Sequence, residues 1–237
     1  MKAWNKVGVV GAGTMGSGIA QIAAQAGCEV TLVDSSEDAL NRSQEKLGKV
    51  FARLVEKGRV TIEESTAIQQ RITRSTTLES MASCDMVIEA IVEDLDVKTT
   101  LFKTLEGIVN EDAILATNTS SLSVTALARG CEKPHRVIGL HFFNPAPLMA
   151  LVEVIPALQT DANLANHAVS QMSAWGKAPA LAKDTPGFIV NSVARPFYSE
   201  ALRILEEGIA SVEDIDASMR AQGFRMGPFE LMDLIGH

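Results

Sequence analysis

The sequence is poor in the residues that build covalent or metal-held frameworks, with three cysteines and four histidines in 237 residues. Cys28, Cys84 and Cys131 are odd in number, widely spaced and without a CxxC pair, so they supply neither a disulfide framework nor zinc-ligand spacing. His135, His141, His167 and His237 lack the close, turn-related pairs that metal sites use, and no metal site is expected. A reducing cytoplasm is the simplest compartment for such a chain. Positive charge is short as well: 21 Lys and Arg against 29 Asp and Glu leave a formal net charge of -8, which disfavours binding nucleic acid through counterion release. Long apolar runs are missing, since nothing approaches the ~20 residues that a bilayer requires. The nearest candidate, Val7 to Cys28 behind Lys2 and Lys6, imitates a secretory signal but is broken by Gly8, Gly11, Gly13, Gly16 and Gly18 and by Gln21 and Gln25. Neither a membrane span nor a signal is expected. Internal repeats and low-complexity tracts are also absent.

What is present is an ordinary globular composition, 46% hydrophobic and 21% charged. The length fits one large domain, or one domain with part of another. Lys6 to Val10 is a β-branched run, followed by a glycine turn, a helix-compatible Ile19 to Ala26 and a second strand-like run, Glu29 to Val33. From about Ser36 to Gln70 apolar residues recur at helical spacing with a break at Gly58, which predicts two helices. Strand and helix then alternate: Met86–Val92, Val97–Ile108, Ala113–Thr117, Ser123–Ala128 and Val137–Phe142. Leu151–Ile155, a helix over Ala162–Ala174 and an extended Ala178–Ala182 follow. Such alternation predicts an α/β fold, a Rossmann-type doubly wound and mostly parallel sheet covered on both faces. After Lys183 the character turns helical, over Phe188–Glu207, Ser211–Arg220 and Phe229–Leu234, so domains of 1–183 and 184–237 are expected.

Gly11-Ala12-Gly13-Thr14-Met15-Gly16 has GxGxxG spacing between a strand and a helix, with Asp34 ending the next strand 18 residues after Gly16. Gly11 permits the tight turn, Gly13 lets backbone approach a pyrophosphate, and Gly16 lets helix and strand pack closely. The helix N-terminus offers unpaired N–H groups to phosphate. An empty glycine turn or an S-adenosylmethionine loop is the competing reading. Asp34 can accept from both ribose hydroxyls and would repel a 2′-phosphate; with Ser35 and Ser36 following and no Arg there, NAD is expected rather than NADP.

His141 ends a predicted strand, and the carboxyl ends of strands are where such sheets place their active sites. A lone histidine is more often structural. Glu153, however, sits inside the apolar run Leu151-Val152-Glu153-Val154-Ile155, where a carboxylate without a partner would be costly. A His141–Glu153 pair would satisfy the acid and orient the imidazole as a general base. Thr117-Asn118-Thr119-Ser120-Ser121, also past a strand end, offers hydroxyl and amide groups, although such clusters are commonly turns or caps.

Together GAGTMGSGIA, VIEAIVED, TNTSSLS, GLHFFNPAP, LVEV, KDTPGFIVN and MGPFELMDLIG resemble, in order, the motifs of the L-3-hydroxyacyl-CoA dehydrogenase family, including the bacterial 3-hydroxybutyryl-CoA and 3-hydroxyadipyl-CoA types. The resemblance implies NAD-dependent oxidation of a 3-hydroxyacyl thioester, with an acyl-CoA substrate and a homodimer where the C-terminal domain is complete. It implies that His141 is the base and Glu153 its partner, and that Ser120 contacts nicotinamide and substrate. Asn144 and Asn191 would position cofactor and substrate oxygen. Glu93 and Lys98 would contact the cofactor beside Gly11, Gly13, Met15, Gly16 and Asp34. Lys46, Lys49 or Lys57 could meet CoA phosphates. Alternatives are a non-catalytic NAD-binding protein and a dehydrogenase of sugar acids or free hydroxy acids. Members of the family usually continue past MGPFELMDLIG, so the chain is expected to be shortened, leaving Phe188, Ile189, Phe197, Leu202 and Leu205 as exposed apolar surface unless chains associate.

Overall fold

In the computed structural model, residues 3–236 are described; Lys2, read above as a signal-like flank, and His237, the last of the four histidines, lie outside them. β1 (Lys6–Val10) is Val-rich and buried after its first residue, as a central strand covered on both faces must be. It is followed by α1 (Thr14–Gln25), β2 (Glu29–Val33), α2 (Glu37–Glu56), α3 (Ile62–Gln70), β3 (Ile72–Ser75), β4 (Met86–Glu89), α4 (Leu95–Glu106), β5 (Ile114–Thr117) and α5 (Val124–Arg129). Next come β6 (Val137–Phe142), β7 (Leu151–Pro156), α6 (Ala162–Ala174) and β8 (Ala178–Leu181). The strands form one eight-stranded sheet in the order β3-β2-β1-β4-β5-β6-β7-β8. All neighbouring pairs are parallel except β6 with β7, which run antiparallel. The order reverses between β1 and β4, and in sheets of this kind ligands bind in the crevice beyond the strand ends at that point.

Helix starts are chemically marked. Ser36, Asp94 and Ser123 cap α2, α4 and α5 by accepting from backbone N–H groups three residues on, and Thr61 with Glu64 forms a capping box on α3. Two differences from the sequence reading stand out. β3 was not anticipated: of Ile72-Thr73-Arg74-Ser75 only Ile72 is buried, so this edge strand has no apolar alternation to betray it. β4 stops at Glu89, three residues short of the expected Val92, because the Glu89 carboxylate turns back to accept the Ile91 N–H at 2.7 Å and bends the chain.

The chain divides into two compact units, 1–186 and 187–237. Asp184 is anchored within the first, accepting from the Ser123 hydroxyl at 2.8 Å and from the Val124 and Thr125 N–H groups at 3.0 and 2.7 Å. Burial pushes this carboxyl up, but the bonds from Thr125, Ser123 and Val124 outweigh it and hold it below the ordinary aspartate value. A depressed native pKa contributes stability that is present above the unfolded value and lost as pH falls through the native one. Asp184→Asn is therefore expected to lower Tm by about 2–4 °C at neutral pH. The gap should narrow on acidification to about pH 3. Melting curves across pH test this, and a constant gap would contradict it.

The second unit holds α7 (Val190–Glu206), α8 (Val212–Ala221) and α9 (Pro228–Ile235). Buried Asp216 accepts from the Phe229 and Glu230 N–H groups at 2.9 and 3.1 Å and so caps α9 from α8. The three helices enclose an apolar groove of about 980 Å³ lined by Phe197, Ile204, Ile215, Met219, Phe224 and Leu231. Of the five residues expected to lie exposed, Ile189, Leu202 and Leu205 do, Phe197 is half-buried in the groove, and Phe188 is buried instead, at 5% exposure.

Candidate active site

The glycine turn between β1 and α1 has two positions, Gly11 and Gly16, where a side chain would collide with backbone. Gly11 has φ +100 and donates its N–H to the Val33 carbonyl at 2.7 Å, joining the turn to the end of β2. A Cβ on Gly16 would run into the Gly11 carbonyl, whereas a Cβ on Gly13 would meet nothing within 4 Å, so Gly13 faces open space. Asp34 reinforces the turn: one carboxylate oxygen accepts the Ala12 N–H at 2.7 Å, the other the Ser36 N–H at 2.9 Å. A carboxylate has about four acceptor positions, so both oxygens retain capacity for ribose hydroxyls. Met15 packs partly buried against the core behind the turn. Over the turn lies a cavity of about 200 Å³ lined by Ala12, Gly13, Thr14, Ser17, Arg42 and Lys46, among others. A diphosphate fits this donor set: an open backbone, a helix N-terminus and two cations.

Sequence reasoning missed Arg42, having looked only at the neighbours of Asp34. Helical geometry brings Arg42 and Lys46 onto the α2 face that also carries Ala39 and Ser43, and the Ser17 and Ser43 hydroxyls bond at 2.8 Å to fix that face against α1. Lys46 thus lines the glycine-turn cavity, while Lys49 and Lys57 are exposed along and after α2. We expect Gly16→Ala to weaken NAD binding at least about tenfold, since its methyl must displace the Gly11 carbonyl. Titration of the variant with NAD measures this, and an unchanged affinity would show that the turn can relax.

His141 and Glu153 are direct partners in the antiparallel β6–β7 ladder, which places their side chains on one face of the sheet. The His141 Nδ1 lies 2.7 Å from a Glu153 carboxylate oxygen, with the residues 6% and 0% exposed. Against a carboxylate, which only accepts, Nδ1 carries the proton and Nε2 is the basic nitrogen. The Phe143 ring packs on the imidazole with centroids 4.4 Å apart. Asn144 follows, exposed, at a cis peptide bond to Pro145.

The ends of β4 and β5 carry a second polar group. Lys98, 1% exposed on α4, places its ammonium 2.5 Å from Glu89, itself fully buried, and 3.3 Å from Glu93. Glu89 also accepts the Thr117 hydroxyl at 2.7 Å. Glu93 accepts the Thr119 hydroxyl at 2.6 Å, the Ser120 N–H at 2.8 Å and, more weakly, the Ser120 and Ser121 hydroxyls. Burial raises the Glu93 pKa, yet these bonds and the Lys98 charge outweigh it and hold the group below the usual range. Glu93, Lys98 and Ser120 are therefore brought together, with Glu89 as their buried partner. A Glu ending a four-residue apolar strand was the available signal, the same one that drew attention to Glu153. Asn191 belongs to the second unit, in the first turn of α7.

A glycine turn with an acid at the next strand end, and a buried imidazole–carboxylate pair at another, define the class: a doubly wound fold with a dinucleotide seat and a candidate base at a strand end. Family models agree, residues 6–185 matching the NAD-binding domain and 187–237 the C-terminal domain of 3-hydroxyacyl-CoA dehydrogenase. The chain belongs to the 3-hydroxyacyl-CoA dehydrogenase family. It is 47% identical over 231 residues to the 3-hydroxyadipyl-CoA dehydrogenase of Escherichia coli K12, covering 97% of this chain and 49% of that one. It is 44% identical to a probable 3-hydroxybutyryl-CoA dehydrogenase of Deinococcus radiodurans, covering 98% and 83%. The crystal structure of (S)-3-hydroxybutyryl-CoA dehydrogenase from Ralstonia eutropha superposes with TM-score 0.96 at 40% identity, covering 98% and 83%. The chain thus spans about half the length of the Escherichia coli relative.

Proposed function

We propose that this chain carries the catalytic apparatus for NAD-dependent oxidation of an (S)-3-hydroxyacyl-CoA to the 3-oxoacyl-CoA. The observation that carries the reading is the buried 2.7 Å His141–Glu153 contact at the carboxyl end of β6, in a sheet whose glycine turn fits NAD. NAD, when bound, supplies the hydride acceptor. His141 takes the 3-hydroxyl proton on Nε2, and Glu153 stabilises the imidazolium that forms. Ser120 holds the oxygen that becomes the carbonyl. Asp34 holds the adenosine ribose; Gly11, Gly13, Met15 and Gly16 shape the diphosphate seat, with Arg42 and Lys46 balancing its charge. Asn144, Glu93 and Lys98 border the nicotinamide. Lys49 and Lys57 remain the cations for the CoA phosphates.

The three buried cysteines suit a reducing compartment such as the cytoplasm; burial pushes the Cys84 thiol up to about 11 and the Cys131 thiol up to about 12. Among the described residues no helix is long and apolar enough to cross a membrane. The apolar groove of α7 to α9 is where a homodimer would rest. A steady-state screen of (S)-3-hydroxyacyl-CoA thioesters with NAD and NADP, beside free hydroxy acids and sugar acids, tests the reading. Reduced cofactor is expected from the thioesters with NAD. Turnover of the free acids alone would replace this reading with the rival dehydrogenase, and NAD binding without turnover would make the chain a binding protein.

A further inference from the structure

The β5–β6 ladder ends at Thr117 opposite Gly139, yet β6 runs on through Leu140, His141 and Phe142, held from there by β7 on one side alone. Backbone N–H groups along a strand alternate between its two neighbours. That of Phe142 turns to the side where β5 has already ended, and the side-chain Oδ1 of Asn118 meets it at 2.9 Å. Asn118 is the first residue past β5, and its own N–H donates to the Glu89 carbonyl at the end of β4, at 2.8 Å. One residue therefore ties the ends of three strands together, next to the base on one side and two residues before Ser120 on the other.

From this geometry we infer that Asn118 is a positioning residue for proton transfer. Its amide replaces the missing strand pairing at the end of β6 and so sets His141 against the loop that carries Ser120. The inference rests on the reading of His141 as the base. The required chemistry is narrow. The Phe142 N–H only donates, so the clasp needs an acceptor of amide length, which directs Nδ2 away from it. Ala cannot supply that acceptor; Asp, of the same shape, can. Glu153 orients the ring from β7, but the strand end that bears the ring would be tethered on one edge only without Asn118.

The test pairs Asn118→Ala with Asn118→Asp, reading kcat, KM, NAD affinity and the hydrogen exchange of the Phe142 amide. In Asn118→Ala the Phe142 amide should lose protection and kcat should fall about 10–100-fold, as a misplacement near 1 Å can cause. KM and the NAD dissociation constant should stay within about threefold, since the glycine turn is untouched. Asn118→Asp should restore the protection and most of the rate. Three outcomes would overturn the inference: an Ala variant at the native kcat, a loss carried by NAD affinity in place of kcat, or an Asp variant as slow as Ala. Unchanged Phe142 exchange in Asn118→Ala disproves the clasp whether or not the chain is active. A native chain that turns over no thioester would instead remove the reading of His141 as base, leaving the clasp to be judged by exchange.

Discussion

Replacing His141 by Gln is expected to lower kcat by about 10³-fold while leaving NAD affinity within about twofold, because the proposed base is lost and the dinucleotide seat is not. Gln keeps a hydrogen-bonding group beside Glu153 but cannot take a proton from the substrate hydroxyl at neutral pH. The contact it replaces is direct and buried, with Nδ1 2.7 Å from the carboxylate. Glu153→Gln should cost less, since the imidazole survives and only its orientation and the stabilisation of its charged form are weakened. Stopped-flow measurement of cofactor reduction in a single turnover separates chemistry from product release. A His141→Gln enzyme with a near-native single-turnover rate would sink the assignment, and equal losses in the two variants would argue that the pair acts only as a unit.

The largest effect on stability should come from Glu89. Its side chain is fully buried and serves three donors: the Lys98 ammonium at 2.5 Å, the Ile91 N–H at 2.7 Å and the Thr117 hydroxyl at 2.7 Å. Glu89→Ala leaves the ammonium of Lys98 buried, with only the partly exposed Glu93 beside it at 3.3 Å. Removing one partner of a buried pair typically costs about 3–5 kcal/mol, and with Glu93 as the one remaining counter-charge the lower end of that range is expected. Replacing both charges, in Glu89→Gln with Lys98→Met, should recover much of that loss, since the penalty belongs to the unpaired ion. Chemical denaturation of the single and double variants checks this. A loss below about 1 kcal/mol in Glu89→Ala would mean that Lys98 sheds its proton or finds water.

Much of this architecture was legible in the chain before any coordinates. The periods of the apolar residues separate strand from helix, and the Gly58 break divides α2 from α3 as the spacing predicts. The GxGxxG spacing with Asp34, and the carboxylates Glu89 and Glu153 inside apolar runs, are chemical anomalies that sequence alone exposes. β3 stayed hidden because an edge strand of four residues with one buried side chain carries no period.

What the sequence determined by itself is local: the order of elements, their caps, the glycine turn and the residue types available for proton transfer. These depend on neighbours within a few positions, where propensity, capping and steric rules act. What only the tertiary structure decided is which distant residues meet. β6 and β7 pair antiparallel in a register that sets His141 against Glu153, and Lys98 is drawn between Glu89 and Glu93. Arg42 comes over the glycine turn, and Asn118 reaches the end of β6. None of these follows from spacing in the chain, because strand order and register are settled by the packing of the whole sheet, and a slip of one residue would turn His141 to the opposite face.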